Sequence, residues 1–239
     1  NSNNFKEGND NKLLAEYIFN SSLPLYKKKE IYSSYFTPKL SFRFSPTETR
    51  NINTDDFRID YVNLFSKNRI SLDDTLEGGE SITLASEYSL RDKKDIEKLN
   101  LSIGQIFRIN ENKDLPKVST MGDKRSDLIG ALKFTPNDLI NFNYSFSADK
   151  NIENLKYNLI ETEISFNNFF TSFNYLKSEN IFGEKSHISN STKFKFNNQN
   201  SISFGTSKNL DKDLTEYYDL IYEYENDCLT AAVEYKKNY

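Results

Sequence analysis

The sequence predicts an all-β fold, an antiparallel up-and-down transmembrane β-barrel segment of about twelve strands. From about residue 78 onward, apolar and polar residues alternate with period two, the mark of strands with two unlike faces, and helical spacing is absent there. Short and long connections alternate along the chain, which gives a meander one tidy end and one loop-rich end. Phe134, Phe166, Phe169, Phe196, Tyr224 and Tyr235 are read as lying beside short turns, where a barrel's interfacial girdle sits.

Taken in order, the amino-terminal part reads as two strands, 12–26 and 30–44. Pro24 and Pro38 interrupt them and suit an edge, a bulge or a strand end. Ile82, Leu84, Tyr88 and Leu90 then share a face opposite Ser81, Thr83, Glu87 and Ser89. Leu99, Leu101, Ile103, Phe107 and Ile109 oppose Lys98, Asn100, Ser102, Gly104 and Arg108. The rule continues through Leu128, Leu132 and Phe134, then Ile140, Phe142, Tyr144 and Phe146. Ile160, Ile164 and Phe166 follow, then Phe169, Phe173 and Tyr175. The last strands carry Ile188, Phe194 and Phe196; Ile202 and Phe204; Tyr218, Leu220, Tyr222 and Tyr224; and Leu229, Ala231, Val233 and Tyr235. Short connections fall at 27–29, 91–96, 136–137, 167–168, 198–199 and 226–227, several carrying the Asn and Asp residues that suit tight turns. Longer or mixed ones fall at 45–77, 110–125, 150–153, 179–186 and 210–213.

Composition narrows the class. The 239 residues include 15 Tyr and 19 Phe, so the low mean hydropathy of −0.71 does not signal disorder. No run approaches the roughly 18–20 apolar residues of a membrane helix, a test that says nothing about barrel strands. A formal charge of −4 with no basic run beyond Lys27–Lys29 argues against a nucleic-acid partner. The chain opens at Asn1 without a basic start and apolar core, and it reads as a fragment. Cys228 is the single cysteine, so it is a free thiol or bonds outside this chain.

Period-two alternation fits a soluble sheet as well as a membrane barrel. Strand length near the roughly 9–11 residues that cross a bilayer, the turn asymmetry and the placement of the rings favour the barrel. A general porin or receptor barrel, or a secreted β-sheet binding module, shares the pattern. In the secreted module Phe142, Tyr144, Phe194 and Phe204 meet a second layer; in a barrel they face lipid.

No catalytic constellation assembles, and the reading is of a protein that is not an enzyme and holds no cofactor. His187 is the sole histidine, so no Ser-His-Asp or Cys-His arrangement can be built around it. Asn209-x-Asp211-x-Asp213 begins like a calcium loop but lacks the turn glycine and the twelfth-position glutamate, and no metal site is expected. Gly78-Gly79 lacks the third glycine and helix of a nucleotide loop and reads as a bulge or tight strand start. Glu161 and Glu163 share a strand face but no cleft for acid-base work is evident.

One segment goes beyond pattern. Asp60-Tyr61-Val62-Asn63-Leu64-Phe65-Ser66-Lys67-Asn68-Arg69 leads to Leu76-Glu77-Gly78-Gly79, and a later strand carries Leu101-Ser102-Ile103-Gly104-Gln105-Ile106-Phe107. In this order and spacing they resemble the carboxy-terminal barrel of the lipopolysaccharide-assembly outer-membrane protein family (LptD, organic-solvent-tolerance). There an NLF…R…LxGG loop precedes a hairpin ending in sxGQxy. The segment Cys228 to Tyr235 is similar to the family's late cysteine-bearing turn.

The resemblance implies that residues 1–239 form part of a carboxy-terminal outer-membrane barrel domain of about 26 strands. It implies insertion of lipopolysaccharide into the outer leaflet of the bacterial outer membrane, without catalysis. The partners it implies are lipopolysaccharide, an LptE-like plug lipoprotein, and periplasmic lipopolysaccharide-bridge proteins reached through an amino-terminal domain. It also implies a family-like loop carrying Asp60, Asn63, Leu64, Phe65, Arg69, Gly78 and Gly79, a family-like strand with Gly104 and Gln105, and an interdomain disulfide at Cys228. The family often shows adjacent cysteines here, whereas Cys228 stands alone beside Asp227.

A stretch as long as 45–77 is rarely structureless without being functional or disordered. This one is expected to fold over or into the lumen. Ile52, Phe57, Ile59, Tyr61, Val62, Leu64 and Phe65 would pack there, and Arg58, Arg69, Asp55, Asp56 and Asp60 would make polar contacts. An isolated piece of this kind should be an open sheet with free edges.

Overall fold

The computed structural model describes residues 14–180 and 183–239, among which there are thirteen strands and no helix. They are β1 (Tyr17–Ser22), β2 (Leu25–Lys28), β3 (Tyr32–Ser45), β4 (Gly79–Asp92), β5 (Glu97–Arg108), β6 (Leu128–Asn137), β7 (Ile140–Ala148), β8 (Leu155–Phe166), β9 (Phe169–Asn180), β10 (Gly183–Lys195), β11 (Asn200–Asn209), β12 (Leu214–Glu225) and β13 (Thr230–Asn238). All join one antiparallel sheet in chain order. β1 and β2 both pair with β3, and among the described residues the sheet ends openly at β1 and at β13.

The expected strand 12–26 is redrawn. Residues 12 and 13 lie outside the described residues, and pairing starts at Tyr17. It then runs on to Lys28 in a single register, with Ser22 opposite Lys39 and Leu25 opposite Phe36. The interruption is Leu23-Pro24, which stands across from Thr37 and Pro38. Two residues without a backbone N–H so close together thin the ladder at this point. The Leu23 N–H still donates to the Pro38 carbonyl at 3.1 Å.

Alternation holds across the sheet. Paired residues share a face, so the register carries one polar face from Arg43 through Ser81, Arg108, Ser145, Glu161, Asn174, Ser191, Ser203 and Glu223. Phe142, Tyr144, Phe194 and Phe204 lie on the other face with Phe42, Ile82, Leu101 and Leu220. Phe194 and Phe204 are 39% and 41% exposed, and Phe142 and Tyr144 are half-buried among their neighbours. Each strand touches only the strands it pairs with, so among the described residues no second layer sandwiches these rings. On this face the Phe146 ring lies where a side chain at Gly130 would be; a Cβ there would come within 2.3 Å of it.

The connections alternate as predicted, with one correction. At the loop-rich end they shorten along the chain, from residues 46–78 and 109–127 to 149–154 and 210–213. The connection expected at 179–186, among the longer or mixed ones, is instead strand at each of its described residues. Glu179 pairs with Glu184 and Lys177 with Ser186. Lys177, Ser178, Glu179, Glu184 and Lys185 are polar on both faces and so resemble a loop in sequence, but a hairpin that extends past an apolar belt into water has this composition. Tyr235 is a second correction: it pairs with Leu220 within the ladder, away from the turn that follows Glu225.

Candidate functional site

The buried apolar core is not formed between sheets. It lies on the polar face, where the two long connections fold down. Ile52, Ile59, Leu64 and Ile70 of residues 46–78 pack with Leu115 and Met121 of residues 109–127 and with Ile106 and Ile129 from the wall. Ile106 and Ile129 pair with Thr83 and Ser147, so they break the strand alternation on the polar side. The break has a reason: they receive the loops. Phe57, Tyr61, Phe65, Leu72 and Ala85 complete the cluster half-buried. Val62, expected to pack, is instead 88% exposed at the apex of its turn.

Two segments singled out separately in the sequence meet here. Leu64 is fully buried, and a Cβ on Gly104 would come within 2.4 Å of its Cδ2 and 3.0 Å of the Ala85 Cβ. Gly104 is therefore the notch that admits Leu64. The preceding turn is self-capped: the Asn63 N–H donates to Asp60 Oδ1 at 2.8 Å, and the Asp60 N–H donates to Asn63 Oδ1 at 3.1 Å. This turn carries Tyr61 and Phe65 to either side of Lys39, whose Nζ lies 5.8 and 5.7 Å from their ring centres. Lys39 also pairs with Glu87 at 2.5 Å.

Beside the apolar cluster is a buried charge cluster centred on Glu77. Arg69 grips the Glu77 carboxylate with two nitrogens, Arg108 donates to it from β5, and the Arg43 Nε lies 4.0 Å away. Arg69 also donates to Thr83 Oγ1 and Ser81 Oγ, each at 2.9 Å. Arg43 donates to the carbonyls of Lys67 (2.9 Å) and Ser66 (2.6 Å) and pairs with Glu16, just before β1. Burial alone would raise the Glu77 pKa. The arginines, Arg69 first and then Arg108 and Arg43, outweigh it and hold the carboxylate down at about 2. The three cations around this one carboxylate are further engaged by loop carbonyls, by wall hydroxyls and, for Arg43, by Glu16.

Gly78 and Gly79 close this cluster. The Gly78 N–H donates to Thr49 Oγ1 at 2.8 Å, its carbonyl accepts from Arg108, and a Cβ there would meet the Thr47 carbonyl at 2.4 Å. Gly79 opens β4 at φ +86°, a conformation that L side chains rarely adopt. Gln105 sits on the apolar side opposite Leu84, yet its Nε2 donates to the Ser126 carbonyl at 2.7 Å and pins the end of the second connection.

The first connection reaches far from its roots on β3 and β4. Arg58 donates to the Glu179 carbonyl on β9, and its guanidinium carbon lies 5.3 Å from the centre of the Tyr157 ring on β8. Its pKa is lowered, chiefly by burial. Asp55 stays exposed, and Asp60 serves its own turn.

The remaining sequence candidates lie elsewhere. Cys228 is exposed and unbonded in the turn between β12 and β13. The His187 Nδ1 is 3.5 Å from Glu216 on the polar face. Asp211 accepts from the Ser186 N–H and Asp213 pairs with Lys208, and among the described residues no group of three metal-ligating side chains forms. Sequence reasoning missed Glu77 as the hub, Arg43 and Arg108 as its partners, and Ile106, Leu115 and Met121 as core. Ile106, like Ile129, which was also missed, left a signal: each is an apolar residue out of phase in its strand.

A single antiparallel sheet with rings on its outer face and water-compatible loops packed on the other is the wall of an outer-membrane β-barrel. The family model "LptD: LPS transport system D" matches residues 1–205, and the chain belongs to that family, which handles lipopolysaccharide at the outer membrane. No curated protein sequence matches the chain. Among solved structures it is similar to a mutant porin of Rh. blastica, with 10% identity and a TM-score of 0.36 over 93% of this chain and 85% of the porin. That likeness is too slight to add to the family assignment.

Proposed function

We propose that this chain is part of the barrel of a translocon that inserts lipopolysaccharide into the outer leaflet, and that it performs no catalysis. The observation that carries the reading is the inverted build: apolar side chains exposed on one face, and hydroxyls, charges and folded loops on the other. A lipid with an anionic sugar head and several acyl tails needs a hydrated path for the head beside hydrocarbon for the tails, and such a wall offers both. In this reading the polar face is the lumen, and residues 46–78 and 109–127 are lumen loops.

Partners follow the same logic. Among the described residues the polar face of β9–β13 carries no long connection, and an LptE-like plug would sit against it. Periplasmic bridge proteins would deliver the lipid through an amino-terminal domain. Short turns are the periplasmic end of such barrels; exposed Cys228 lies in one of them, which supports a disulfide to that domain. The test is depletion of the full-length protein with surface lipopolysaccharide as the readout. Loss of surface lipid is expected, and unchanged surface lipid overturns the reading.

A further inference from the structure

The two long connections meet the wall as one body. Thr49 Oγ1 accepts from the Gly78 N–H and from the Asn112 amide, each at 2.8 Å, so the roots of both connections meet at one hydroxyl. Backbone bonds from the Ile52 N–H to the Asp114 carbonyl (2.8 Å) and from the Lys117 N–H to the Asn53 carbonyl (3.3 Å) lace them together further out. Both also contribute to the same buried apolar cluster.

This body is fastened to every strand from β3 to β9. Arg43 of β3, Ser81 and Thr83 of β4 and Arg108 of β5 hold it through the Glu77 cluster. Ile129 of β6 packs into its core. Further along, Asp127 accepts from Ser147 Oγ of β7 at 3.5 Å and pairs with Lys156 of β8 at 3.2 Å. Arg58 makes the last fastening, to the Glu179 carbonyl of β9, with its guanidinium against the Tyr157 ring. None of these bonds reaches β10–β13.

A lone sheet flexes easily. The angle at which paired strands meet ranges over roughly 10–35°. Here each strand touches only its partners, so nothing within the sheet fixes the arc over several strands. From β4 to β9 that arc is five steps of about 4.8 Å, or about 24 Å. A folded body joined to both ends of it and to each strand between is a chord, and a chord sets the curvature. We propose that the two connections are a tie that holds β3–β9 at one curvature and leaves changes of barrel shape to β10–β13 and to the wall outside this chain, with Arg58 and Asp127 as the outer fastenings. Such a tie works whatever the barrel carries.

The test uses the full-length protein in lipid nanodiscs, with spin-labelled unnatural residues placed in pairs at exposed positions on the apolar face. One pair is Leu84 on β4 with Phe173 on β9, and the other is Phe173 with Val233 on β13. Pulsed electron resonance reads the distance distribution of each. The expected result is a narrower distribution for Leu84–Phe173 than for Phe173–Val233, although the first pair is one strand further apart. Arg58→Gln combined with Asp127→Asn should broaden Leu84–Phe173 to the width of the second pair and leave the second pair unchanged. Equal widths in the unsubstituted protein overturn the tie, and that comparison needs no change in the connections. A first-pair width that the double variant leaves unchanged also overturns it, as does equal broadening of both pairs, which is general loosening of the fold.

Discussion

Strands β3–β8 and strands β9–β13 share one sheet and one alternation rule, yet their polar faces are finished in different ways. Over β3–β8 the face is roofed by two connections that bring their own core, and charges as deeply buried as Arg69 and Glu77, 1% and 2% exposed, are fully engaged. Over β9–β13 the connections are short and the face meets water through half-exposed pairs such as Lys193–Glu223 at 3.0 Å. When a sheet turns its apolar side outward, its other side can be completed either by solvent or by folded loops. Loop length decides which.

If that contrast is real, substitutions in the roofed half should be costly and equivalent ones in the open half cheap. The largest effect is expected at Glu77→Ala, which strands Arg69 and Arg108 without their shared carboxylate. Loss of one partner from a buried cluster costs about 3–5 kcal/mol. Trypsin cleavage at Arg50, Arg58 or Arg69 in the full-length protein should rise accordingly, and unchanged cleavage would mean the roof is not held by this cluster. Leu64→Ala comes next, at about 3 kcal/mol for a fully buried leucine, read by the same cleavage assay.

Gly104→Ala should cost about 1–3 kcal/mol by overpacking against Leu64. In combination with Leu64→Ala most of that penalty should vanish. Simple additivity in this double-mutant cycle would show that the notch and the leucine do not meet. The smallest effect is expected in the open half: Lys193→Ala should change heat stability by less than about 1 kcal/mol. A loss as large as that of Glu77→Ala would erase the distinction between the halves.

Acid sharpens the same comparison. The Glu77 carboxylate is depressed from its ordinary 4.5 to about 2 in the folded protein. Its stabilising contribution, about 3 kcal/mol, is therefore fully present above pH 4.5 and is lost as the pH falls from there toward 2. Loop protection measured by hydrogen exchange should be flat from pH 8 to 5 and decline only below that. A decline near neutrality would point to another group.

Much of the wall was legible because period two is a local signal: Ile140 to Phe146 or Tyr218 to Tyr224 needs no knowledge of the rest of the chain. The contact between Leu64 and Gly104 was half legible. Both residues stood out, but nothing in the order of residues says that one fits the other. The Glu77 cluster was not legible, because its members Arg43, Arg69 and Arg108 come from two strands and a loop and are brought together only by strand register. The β9–β10 hairpin misled for the opposite reason, since strands projecting into water lose the alternation that identifies them.

The cluster that roofs the sheet draws every buried apolar member from one contiguous stretch, Ile52 to Ile129. Contacts close in sequence form sooner than distant ones. During biogenesis this stretch can condense while the chain is still being threaded and its later hairpins are unpaired, giving the growing wall a template of fixed bend to which each following hairpin adds. Pulse-labelled refolding would reveal that order, with amides of residues 52–129 protected ahead of those in the last four strands.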